Sequence, residues 1–177
     1  MRRRAVSILV ATILVVAGGA VSATSAAAAG GTTCGSVRGV AKFNPGLPKN
    51  RGPKVKTAIT IDGARLGTCK TVSSGTLDAM LKAGVAGNCQ SFSSGADLKF
   101  SGTATITWKN GETSKIAVKL LPTKYYGRRA QLLTGPVTAG KFLGLRLRSL
   151  LTSFNNGGCL RPLTSANIAD NGALTIR

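Results

Sequence analysis

The chain contains no histidine and only five carboxylates, Asp62, Asp78, Asp97, Glu112 and Asp170. Each scarcity removes chemistry. Without imidazole, a serine or cysteine nucleophile has no histidine base, and only a Ser–Lys arrangement is left open. A mixed Cys/His zinc site is excluded for the same reason. Glycoside hydrolysis needs two carboxylates flanking one bond. Asp62 and Glu112 fall in turn-forming dipeptide contexts and Asp170 in a loop context, which accounts for three of the five without catalysis. There is no Gly-x-Ser-x-Gly elbow and no glycine-rich phosphate loop opening a helix. Aromatic residues make up 5% of the chain. With no recognisable nucleic-acid module, sequence-specific DNA or RNA recognition is not expected. The expectation is a noncatalytic protein without metal or cofactor.

What the chain does have is 24 Lys and Arg, for a formal charge of +19. Part of that charge belongs to an export signal. Arg2, Arg3 and Arg4 form a basic start, Ala5 to Val21 is an apolar stretch, and Ala26 to Ala29 supply small residues before a cleavage site at Gly30. The apolar stretch, broken by Gly18-Gly19, is shorter than the ~20 residues a spanning helix needs. Residue 31, three before Cys34, is Gly rather than the apolar residue a lipoprotein signal would carry. Removing 1–29 takes three arginines, lowers the charge from +19 to +16 and leaves 148 of the 177 residues. That length suits a single domain, 30–177, with a real core.

The four cysteines, Cys34, Cys69, Cys89 and Cys159, all lie beyond the cleavage site. Their spacings contain no C-x-x-C. In an exported chain an even count reads as two disulfides, for which three pairings exist.

Between the cysteines the chain alternates. Val55, Thr57, Ile59 and Ile61 share one face of a predicted strand 54–62, with Lys54, Lys56 and Thr60 opposite. Asp62-Gly63 signals a hairpin turn into a second strand, 65–72. Leu98, Phe100, Gly102, Ala104, Ile106 and Trp108 share a face of a long strand. Asn110-Gly111 turns it into 113–121, where Ile116, Val118 and Leu120 face inward against Lys115 and Lys119. Gln131 to Ala139 contains Pro136, which indicates an edge strand or a bulge. Leu143 to Leu151 and Ala173 to Ile176, the latter after Asn171-Gly172, complete the set. Residues 76–85 fit either period: Leu77, Met80 and Leu81 have helical spacing, while Leu77, Ala79 and Leu81 alternate. The neighbouring strands favour strand. About seven to nine short strands with regular turns predict an all-β fold, an antiparallel β-sandwich or flattened barrel. In such a fold a strand starting near Cys34 pairs with one ending near Cys69 through the loop Asn44–Pro53. Cys34–Cys69 with Cys89–Cys159 is therefore the preferred connectivity.

The segment Gly102-Thr103-Ala104-Thr105-Ile106-Thr107-Trp108-Lys109-Asn110-Gly111-Glu112-Thr113-Ser114 resembles a hairpin of small secreted actinobacterial proteins. Val137-Thr138-Ala139-Gly140-Lys141-Phe142-Leu143-Gly144, Gly158-Cys159 and Leu163-Thr164-Ser165 also resemble that group. The resemblance implies secretion and a β-sandwich, and it implies no activity. This chain departs from the group in carrying Lys and Arg where Thr, Ser or Gly is expected.

The basic residues cluster in sequence. Lys49, Arg51, Lys54 and Lys56 lie in and after the long loop. Lys124, Arg128 and Arg129 bracket Tyr125-Tyr126, and Arg146 and Arg148 share a strand face. Any one of them reads as solvated surface. Together, a large positive charge attracts polyanions whatever the local geometry. The Tyr-containing loop adds ring faces beside cations. These residues are the candidate contacts for an anionic partner: a cell-wall glycopolymer, an anionic lipid surface or nonspecific nucleic acid. The alternative is a secreted protein-binding module, such as a protease inhibitor or toxin-like factor.

Overall fold

A computed structural model describes residues 30–94, 98–126, 128–151, 159–168 and 173–177. The expected signal segment 1–29, Asp97, Asp170 and the Asn171-Gly172 dipeptide lie outside them. The elements, in chain order, are β1 Thr32–Cys34, β2 Val37–Leu47, β3 Ala58–Leu66, β4 Gly75–Ala83, helix α1 Cys89–Ser94, β5 Phe100–Trp108, β6 Thr113–Tyr125, β7 Arg128–Gly140, β8 Arg146–Leu151, β9 Leu163–Ile168 and β10 Leu174–Ile176. All-β is the observed class. The strands form one antiparallel sheet in the order β1-β10-β8-β7-β6-β5-β4-β3-β2-β9.

Alternation makes the sheet two-sided. In β4, Leu77, Ala79 and Leu81 are buried while Thr76, Asp78, Met80 and Lys82 are exposed. The ambiguous stretch is thus a strand, because its period-two pattern faces a sheet on both edges. The inward residues of all ten strands contribute to one buried cluster. Trp108 is 1% exposed, and its ring meets Phe142 edge-on at 5.5 Å. Phe92 of α1 sits between Phe43 and Phe100, again edge to face.

Several expectations change in detail. Asp62-Gly63 is not a hairpin turn. It is a bulge inside β3, where the pairing to β4 shifts between Ile61 and Ala64. Gly63 supplies the positive φ of 59°, and its N–H donates to Asp78 Oδ1 at 2.6 Å. The same dipeptide serves a turn or a bulge, since both need φ > 0. Pro136 sits in β7, an interior strand, beside a bulge where Lys115 pairs with Ala139 and Ile116 with Val137. The bulge holds and the edge placement does not. The strand expected from Leu143 begins only at Arg146: Leu143 lies in the turn 141–144 and is 62% exposed. Asn44 to Leu47 continue β2, so the connection to β3 runs over 48–57.

The sheet curls, and the chain closes one side of the curl. β1 and β2 are separated only by Gly35-Ser36, yet they stand near opposite ends of the strand order. The β3–β4 connection folds onto β1: Gly35 N–H donates to Thr68 O at 2.9 Å, and Lys70 N–H to Thr33 O at 3.0 Å. The Cys34–Cys69 disulfide ties the same contact. Cys89–Cys159 is the second bridge. Both match the preferred pairing, and β2 does run antiparallel to β3. Two disulfides fit an oxidising compartment. Among the described residues no helix is long and apolar enough to cross a membrane.

Candidate polyanion-binding surface

Connectivity sorts the loops onto two rims of the curled sheet. The first rim carries the connection 48–57, residues 84–94 with α1, residues 98–99, the described tip residues of the β6–β7 hairpin, and Cys159 to Pro162. The second rim carries 67–74, the β5–β6 turn 109–112 and the β7–β8 turn 141–145.

The first rim holds Lys49, Arg51, Lys54, Lys56, Lys99, Lys124, Arg128, Arg129 and Arg161, nine basic residues in those segments. Those described segments contain no Asp or Glu. Lys49, Arg51, Lys54, Lys56, Lys99, Lys124 and Arg161 are exposed.

Backbone bonds hold the 48–57 connection in place. Gly52 N–H donates to Lys49 O at 2.9 Å, closing a turn in which Arg51 takes a φ of 59°. Asn50 N–H donates to Cys159 O at 3.0 Å, and Cys89 N–H to Pro48 O at 2.9 Å. Asn88 Nδ2 donates to Gly52 O at 3.2 Å. Val55 exchanges two 2.9 Å bonds with Gly87, which leaves Lys54 and Lys56 on the exposed side of that bridge. The Thr57 hydroxyl donates to Pro45 O. A turn so tied has little backbone freedom left to lose when its cations meet a ligand.

At the hairpin tip, Lys124 pairs with Arg129 and Tyr125 with Arg128 in the β6–β7 register. Tyr126 follows with φ 47° and is 88% exposed. The two loops picked out in the sequence therefore share one rim.

Arg146 and Arg148 do not join them. Both are exposed on the outer wall of β8, where Arg148 lies opposite Thr134 and Thr175, and Arg146 exchanges backbone bonds with Arg177. The strand alternation that paired them in the sequence holds, but it puts them on the wall.

The three described carboxylates lie away from the first rim, and each has a partner. Lys42 Nζ is 3.7 Å from Asp62 Oδ2. Asp78 accepts from Gly63. Glu112, on the second rim, is bonded by the ammonium of Lys141 and the amide of Asn110. Those bonds, that of Lys141 first, hold its carboxyl below the ordinary value of 4.5. Among the described residues no group of three or more His, Cys, Asp or Glu could hold a metal ion.

Sequence reasoning missed Lys99, Arg161, α1 and Asn88. The first two stand alone in sequence, and only folding brings them to the rim. The capping pattern at α1, where Asn88 Oδ1 accepts from Ser91 N–H at 3.0 Å, was the available signal. No protein-family model, curated protein or solved structure matches the chain.

Proposed function

We propose that this is an exported, noncatalytic protein that associates with an anionic polymer of the cell envelope through its first rim. The observation that supports the reading is the gathering of the 48–57 connection and the β6–β7 tip on one rim, with the three described carboxylates elsewhere. Export draws on the sequence of residues 1–29, on the two disulfides and on the resemblance to secreted actinobacterial proteins. We also read the curl as a flattened barrel whose walls face each other, because one buried cluster draws on all ten strands.

Exposed charge contacts are screened by salt. Protein bound to a heparin resin is expected to elute between about 0.15 and 1 M salt, with Arg51→Ser/Lys54→Ser/Lys56→Ser eluting earlier than the parent. Retention of the parent at about 1 M salt overturns the reading. A protein-binding module, such as a protease inhibitor, takes its support from the tied turn at Lys49 to Gly52. Inhibition of none of a panel of secreted proteases removes the inhibitor version.

A further inference from the structure

The outer wall carries a second pattern, distinct from the rim. The registers place Lys82 of β4 opposite Ser101 of β5, Ser101 opposite Lys119 of β6, and Lys119 opposite Thr134 of β7. Thr134 lies opposite Arg148 of β8, and Arg148 opposite Thr175 of β10. Directly opposed residues of an antiparallel pair share a face. All six are exposed or half-exposed, on the face opposite the core. The row crosses six strands with a cation on every second one and a hydroxyl between. At ~4.8 Å per strand, successive cations stand roughly 10 Å apart.

The hydroxyls are oriented. Thr134 Oγ1 donates to Leu147 O at 2.9 Å and Thr175 Oγ1 to Arg148 O at 3.3 Å. Each keeps lone pairs to accept from a ligand. The row contains no carboxylate. Beside it runs a row of low polarity, Thr60, Met80, Thr103 and Ala117 in successive registers, with Met80 55% exposed. Neither row contains an aromatic ring, so these two rows offer no platform for stacking bases.

We propose that this row is a track for a linear polysaccharide bearing one negative charge per disaccharide. Such a chain alternates an anionic unit with a neutral, hydroxyl-bearing one, as the wall alternates a cation with a hydroxyl. A polyphosphate or single nucleic-acid strand presents charge on every unit and leaves the interposed Ser and Thr without a matched partner. The adjoining Met80 and Ala117 supply apolar contact for the carbon face of the sugar rings. The driving force rests on the polyanion reading above, but the selectivity belongs to the wall.

The test compares two variants of equal charge in affinity electrophoresis at about 0.15 M salt. The probes are hyaluronan, with one carboxylate per disaccharide, polygalacturonate, with one per sugar, single-stranded DNA, and phosphatidylglycerol vesicles. Lys82→Ser/Lys119→Ser/Arg148→Ser is expected to weaken hyaluronan binding about tenfold or more, and Arg65→Ser/Lys70→Ser/Lys109→Ser, three exposed cations outside both the row and the first rim, less than about threefold. Far-ultraviolet circular dichroism verifies that both variants fold. Equal weakening by the two variants overturns the wall track and leaves the general polyanion reading standing. Tighter binding of DNA, polygalacturonate or vesicles than of hyaluronan also overturns it. Failure of the parent to bind any of the four overturns both.

Discussion

Ser114 shows how much one side chain contributes to this fold. It is fully buried, accepts from the indole Nε1–H of Trp108 at 2.9 Å, and donates to Lys141 O at 2.6 Å. The residue thus links β5, β6 and the β7–β8 turn. Ser114→Ala leaves a donor and an acceptor unmatched in the core, and is expected to cost about 1–3 kcal/mol. Urea denaturation followed by the fluorescence of the single tryptophan measures it; an unchanged midpoint refutes the assignment. Glu112 gives a second residue-scale prediction. Its folded pKa is lowered, so its contribution to stability is present above the unfolded value of 4.5 and is lost as pH falls through the lower folded value. Lys141→Met removes the main cause, and NMR titration should show the Glu112 carboxyl move up towards 4.5.

At the scale of elements, the close approach of β4 and β5 depends on Gly102. A Cβ built there falls 1.9 Å from Met80 O and 2.9 Å from Leu81 Cα, backbone atoms that cannot rotate away. Gly102→Ala is expected to force the strands apart and destabilise by about 1–3 kcal/mol. Amide hydrogen exchange should show the loss of protection concentrated on the β4–β5 pair; uniform exchange would contradict it. Alternation made β5 and β6 legible, because each has one buried and one wet face, whereas β4 fitted both periods and only its neighbouring strands favoured the strand. β9 escaped notice because its buried residues, Leu163, Ala166 and Ile168, do not alternate cleanly. Helix α1, at six residues, is too short to express a helical period. The Asp62-Gly63 bulge was mistaken for a turn because local backbone preference is identical in both, and only the partner strand differs.

For the whole molecule, the two disulfides have different duties. Cys34–Cys69 closes the curl beside β1, whereas Cys89–Cys159 anchors the segments that bear the first-rim cations. Replacing either pair by Ser is expected to cost about 2–4 kcal/mol. The effects on polymer binding should part: Cys89→Ser/Cys159→Ser lowers affinity for heparin resin, while Cys34→Ser/Cys69→Ser leaves it unchanged where the protein remains folded. Elution position together with the thermal midpoint of each variant checks this. Equal elution of both refutes the anchoring role.

By itself the sequence determined the all-β class, the two-sided strands and the surplus of cations, because these follow from local alternation, turn residues and composition; of the three cysteine pairings it only favoured the one that the tertiary structure forms. It also pointed to the 48–57 and 124–129 loops, since charge clusters are visible in one dimension. The tertiary structure alone decided that ten strands join one curled sheet, that those two loops share a rim with Lys99 and Arg161, and that Arg148 stands in line with Lys119 and Lys82 across the wall. Register and curl set which distant residues meet, and both arise from pairing between strands far apart in the chain.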